Sequence, residues 1–162
     1  KKFLLEEQIS KIAKTAPGGL CTFKLSPDGK VSMPYVSESW TQICGIEHQE
    51  VKLDASLIYR RVHTDDLESF TISINESAEK MSDWFNQFRF YHPQKGYVWL
   101  EGNSTPTQEK DGSIIWYGFI SDIDDRKKLM NEIMESEGKF RSIWESSIDA
   151  MRLIDKKGNI IN

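Results

Sequence analysis

Cysteine is scarce in this chain, and so is everything that would tie it to a membrane or to nucleic acid. Two cysteines among 162 residues, Cys21 and Cys44, allow at most one bridge and exclude a disulfide framework. No apolar run approaches the roughly 20 residues needed to cross a bilayer, and no signal-peptide pattern opens the sequence. The reading is therefore cytoplasmic, with no membrane contact in this segment, while a membrane-anchored parent remains compatible with it. The 21 Lys and Arg are outnumbered by 25 Asp and Glu, for a formal charge of −4. That balance offers no positive face to phosphates, so nucleic acid is not expected as a partner. The opening "KKFLLEEQ" has no initiator Met and reads as a piece of something longer.

What is present suffices for one core. A domain of roughly 110 residues can bury about two-thirds of its unfolded surface. Lys1 to Lys14 carries Phe3, Leu5, Ile9, Ile12 and Ala13 near helical spacing, and "APGG" ends it. Two short strands flank Pro27-Asp28-Gly29, a hairpin signal, and Pro34 puts the second at an edge or at its own end. Short helical pieces fill Ser37 to Arg61, with Ser37 or Ser39 as a cap and Gly45 as a stop. In "VHTDDLESFTISINESAEK" either His63 or Thr64 can cap a longer helix. Asp65 and Asp66 suit the positive end of its dipole.

Three extended stretches follow: "DWFNQFRFYH", "GYVWLEGNSTPTQ" and "SIIWYGFISDI", with turns at Pro93 to Gly96 and Lys110 to Gly112. The expected fold is α+β: a five-stranded antiparallel sheet with short helices on one face, a flanking N-terminal helix and a C-terminal connector helix. Alternation puts Phe88, Phe90, Leu100, Gly102, Ser104, Trp116, Gly118 and Ile120 on one side of the sheet. The other side carries Phe85, Arg89, Tyr91, Trp99, Tyr117 and Phe119. Rings on both sides call for a cover on the outer face, by the N-terminal helix alone or with a second copy of the chain.

At these residues the chain resembles the PAS domains of bacterial and archaeal sensor proteins, from about Ile9 to Lys128. "VHTDDLESF" is similar to the family's His-Pro-Asp-Asp helix start, with Thr64 where proline is usual. "FRF" before a turn and "GYVWLEGNSTP" match its Gly-x-x-Trp strand. "GFISDIDDRKK" resembles its closing exit, with Asp124 in place of threonine. "GKFRSIWESSIDAMRLIDKKGNIIN" looks like the opening of a second PAS domain. The resemblance implies a flanking helix over 1–15, a PAS sensory domain over 16–124, a connector over 125–147 and the truncated start of a second domain over 148–162.

The connector's Ile123, Met130, Ile133, Phe140 and Trp144 approximate a heptad, interrupted by Glu137 and Gly138. Two chains paired through it are weighed against one amphipathic helix lying on its own domain. The exit motif Asp122, Ile123, Asp124 and Arg126 is expected to pass strain from the last strand to this helix. Asp122 and Asp124 would pair with Arg126 or with a basic group at a strand edge.

The remaining chemistry is thin. Cys44 and His48 have ligand-like spacing, but Gly45 intervenes and no second pair supports them. A buried cysteine and an exposed histidine fit better, and no metal is expected. Flavin-binding relatives use an Asn-Cys-Arg motif that "QICGIE" lacks, and Leu100 and Ile120 stand where those domains hold amides. Heme-binding relatives use a histidine on the longer helix, which has none here. Flavin and heme are not expected, and any cofactor stays unknown. Asp65-Asp66 and Asp124-Asp125 read as structural or switching pairs. No nucleophile–base pair, phosphate loop or kinase histidine box is present, so this chain is not expected to be an enzyme.

The resemblance implies a small-ligand pocket between sheet and helices. Trp40 and Ile43 would come from the short helices, Phe70 and Ile74 from the longer one, and the eight inward sheet residues would complete it. Small Gly102, Ser104 and Gly118 would leave room, unless Trp40, Phe70 and Trp116 fill it. The function implied is a sensory module of a multidomain protein, a sensor histidine kinase, with downstream domains of the same chain as partners. It would act as a homodimer through the N-terminal and connector helices and the outer sheet face. The alternative is a ligand-free assembly module that sets helix register.

Overall fold

The computed structural model describes residues 2–152. A first helix, α1 (Lys2–Thr15), leads into β1 (Gly19–Leu25), which turns back into β2 (Val31–Ser32). The turn forms because Asp28 accepts the N–H of Lys30 and Gly29 adopts φ 84°, a conformation open to glycine. Three short helices follow, α2 (Glu38–Cys44), α3 (His48–Val51) and α4 (Ser56–Arg61). Ser37, not Ser39, caps α2: its Oγ accepts the N–H of Trp40 at 3.3 Å and that of Leu20 at 3.0 Å. Gly45, at φ 63°, ends it.

The long helix α5 (Thr64–Lys80) is capped by His63, whose Nδ1 accepts the N–H of Asp65 at 3.2 Å. A meander then runs through β3 (Trp84–His92), β4 (Gly96–Gln108) and β5 (Ile114–Asp122). The sheet order is β2-β1-β5-β4-β3, antiparallel throughout, and β1 pairs with β5 from Gly19↔Ile120 to Leu25↔Ile114. Pro106 is tolerated inside β4 because β3 pairing stops at Ser104, leaving that stretch one neighbour. This is the α+β fold expected from the sequence.

The core lies between the inner sheet face and α2 to α5, with Trp40, Ile46, Val51, Phe90 and Leu100 fully buried. On the outer face Phe85, Tyr91, Tyr97 and Tyr117 stay exposed. Helix α1 does not cover them within one chain: its Leu4, Leu5, Ile9 and Ile12 are themselves exposed, and of its described side chains only Ala13 is buried.

The chain divides into two units after Asp124. The second is carried by α6 (Asp124–Arg152), which runs as helix five residues past the expected connector end at 147. Its Leu129, Met130, Ile133, Met134, Phe140 and Trp144 are exposed. The expected Lys-Lys-Gly-Asn turn and following strand of a second domain lie outside the described residues. Among those described, no helix is long and apolar enough to cross a membrane.

Candidate functional site

The inner face of the meander is built by alternation, and it begins two steps earlier than expected, with Trp84 and Asn86 ahead of Phe88. Trp84 stands in the same phase as Phe88 and Phe90, and it folds over the bare backbone of Gly102, where a Cβ would collide with its ring. Phe70 of α5 packs edge-on to Trp84, Phe88 and Tyr59, with ring centroids 5.8, 4.7 and 5.7 Å away.

Two serines on α5, one turn apart, fix the rings that face it. Ser73 accepts the Trp84 indole N–H and the Asn86 amide, each at 2.8 Å. Ser77 accepts the Trp116 indole N–H at 2.9 Å and donates to the Ser82 carbonyl at 2.6 Å. Ser77 thereby satisfies a donor that the sheet would otherwise bury unpaired, while Ser73 holds two half-buried donors.

Between these rings and α2 lies a cavity of about 70 Å³. Of the expected pocket residues, Trp40, Phe70, Ile74, Phe88, Phe90, Leu100, Ser104, Trp116 and Ile120 line it. Ile43, Gly102 and Gly118 do not. Ile43 packs half-buried against the core, the space over Gly102 belongs to Trp84, and a Cβ on Gly118 would meet the adjacent Ser104. Sequence reasoning missed Cys21, Phe23, Met33, Cys44, Ile58, Trp84, Asn103 and Phe119. The strand phase could have revealed Trp84. The strand and helix pairing that brings Cys21, Met33 and Cys44 together leaves no local signal.

The lining is almost wholly apolar, and it acts on the two thiols. Burial pushes the Cys21 thiol up to about 12, and burial, with Cys21 nearby, pushes Cys44 well above its ordinary value. His48 is half-buried rather than exposed, because its Nε2 reaches the Met33 carbonyl at 3.0 Å. Among the described residues no cluster of His, Cys, Asp and Glu could hold a metal ion.

Asp66 does more than meet the dipole of α5. Its carboxylate accepts the main-chain N–H of Arg89 at 2.9 Å, its Nε at 2.9 Å and its Nη2 at 2.7 Å. The Arg89 side chain beside Asp66 holds that carboxyl below its ordinary value. Arg89 also lies over the Trp99 ring of its register partner, 5.5 Å from the centroid. Trp99 in turn holds the exit: its carbonyl accepts the N–H of Ile123 at 2.9 Å, and its N–H donates to Asp124 at 3.3 Å.

At that exit Ile123 is buried, and Asp122 accepts the N–H of Asp124, the first residue of α6, at 2.9 Å. The basic partner of Asp122 is Lys95, in the turn before β4, at 3.7 Å.

The chain matches a family model described as PAS fold over residues 33–120. It is 34% identical over 89 residues to the uncharacterised protein y4lL of Sinorhizobium fredii, which covers 54% of this chain and 11% of that protein. It is 23% identical over 140 residues to the peroxide stress-activated histidine kinase mak1 of Schizosaccharomyces pombe, covering 82% of this chain and 8% of that one. The chain therefore spans about a tenth of the length of these curated relatives. Among solved structures, a sensory box histidine kinase/response regulator from Burkholderia thailandensis superposes with a TM-score of 0.61 at 18% identity. That likeness, one of fold, covers 82% of this chain and 97% of the other.

Proposed function

This chain belongs to the PAS fold family, and from that premise we propose that it is the sensory, signal-transducing module of a longer histidine kinase. The supporting observation is continuity. Strand β5 lines the cavity with Trp116 and Ile120, and only Ile123 separates its last residue from α6. A change of packing in the cavity shifts β5, and the Asp122–Ile123–Asp124 junction passes the shift to α6. A coupling of about 1–3 kcal/mol is enough to bias an output domain.

In this reading residues 16–124 sense, 125–147 connect and 148–162 begin the next domain. The parent works in the cytoplasm as a homodimer. The exposed stripe from Met130 through Ile133, Phe140 and Trp144 suits a second copy of α6. The chain transmits and the parent's downstream domain catalyses. The test is Asp122→Ala in the intact parent, with output activity and amide exchange measured together. Exchange at the first turn of α6 should quicken and regulation should change while the sheet stays protected. Unchanged regulation would refute the route.

A further inference from the structure

Three tryptophans line the cavity, and two have partners for their indole N–H groups: Trp84 in Ser73 and Trp116 in Ser77. The third does not. Trp40 is 1% exposed, and among the described residues no group accepts its Nε1–H. Buried donors are nearly always satisfied, because an unmade bond leaves the lost water uncompensated. Nor is Trp40 loosely held. Ser37 caps its main-chain N–H, and its backbone lies so close to Gly19 that a Cβ there would collide with it.

We infer that the Trp40 indole is the recognition donor of this cavity, for a compact neutral ligand carrying one hydrogen-bond acceptor on an apolar frame. The walls narrow the class. None of the lining residues is charged, so an ionic ligand would shed its hydration without a counter-charge. The volume of about 70 Å³ is about half that of a cavity of roughly 150 Å³ that takes up benzene, which suits about three or four heavy atoms. The inference rests on the sensory reading above and names what is sensed. Binding does not depend on signalling, so each can fail alone.

The experiment titrates the full chain, labelled with ¹⁵N, with acetone and with 2-methylpropene, which share size and shape but differ in the acceptor. Acetone is expected to shift the Trp40 indole resonance, to leave those of Trp84 and Trp116 nearly still, and to bind about tenfold more tightly than 2-methylpropene. Trp40→Phe should abolish that preference while keeping 2-methylpropene binding. If that variant does not fold, the wild-type shifts and the affinity ratio decide alone. Equal affinity for the two probes overturns the inference. So does binding of neither, or a long-lived water on Trp40 Nε1 that acetone does not displace. Acetone binding that leaves exchange at the start of α6 unchanged upholds the ligand class and defeats the signalling route instead.

Discussion

The hydroxyl of Ser77 on α5 accepts the indole N–H of Trp116 on β5 at 2.9 Å, with both residues buried. This single bond ties the long helix to the strand that runs on towards α6. Ser77→Ala leaves a buried N–H unpaired and also strips the Ser82 carbonyl of its donor, which should cost about 1–3 kcal/mol. The measurement is urea unfolding, with a lowered midpoint and an unchanged slope. Ser73→Ala should cost less, because Trp84 and Asn86 are only half-buried and water can replace the serine.

Gly102→Ala places a methyl group against the Trp84 ring, which Ser73 holds in place. Overpacking of this kind costs about 1–3 kcal/mol. Trp84→Phe in the same chain should recover part of the loss, because the smaller ring leaves room. A double-mutant cycle would show that coupling, and strict additivity would contradict the contact.

Acid should unlatch α5 from β3. Arg89 holds the Asp66 carboxyl below its ordinary value, so the folded state favours the ionised form. That stability is fully present above the unfolded-state value of about 3.9 and is lost as pH falls through the lower folded value. Asp66→Asn removes the charge and with it this pH dependence. Chemical denaturation of wild type and variant from pH 7 to pH 2 should show a gap that narrows below about pH 4.

Cys21 and Cys44 should both ignore thiol reagents at pH 8 while the domain is folded. With Cys21 pushed up to about 12 and Cys44 raised as well, almost no thiolate is present to react. Labelling of Cys21 should run about a thousandfold slower than that of a free thiol, labelling of Cys44 should also be slowed, and unfolding should release both, as dithionitrobenzoate absorbance would report.

Much of the fold is legible along the chain, because its signals are local. Asp28 and Gly29 make their turn from their own side-chain and backbone preferences, and Ser37 and His63 cap from positions adjacent to their helices. Period-two alternation told the buried Phe88, Phe90, Leu100 and Trp116 from the exposed Phe85, Tyr91 and Tyr117. The same alternation extends to Trp84, which the sequence reading passed over although its pairing with Ser104 opens the β3–β4 ladder in phase with Phe88.

The amino-acid sequence alone determined which elements form and which face of each is apolar, since backbone preference and side-chain period act within a few residues. Tertiary structure alone decided what those faces meet. The pairing of β1 with β5 across roughly a hundred residues, the indole–serine bonds to α5, and the grip of Asp66 on Arg89 join distant parts of the chain. Their partners are chosen by burial and hydrogen-bond satisfaction in three dimensions, and no local pattern encodes either. Ring placement followed the same logic: a glycine promises space only until a neighbouring strand supplies a tryptophan to fill it.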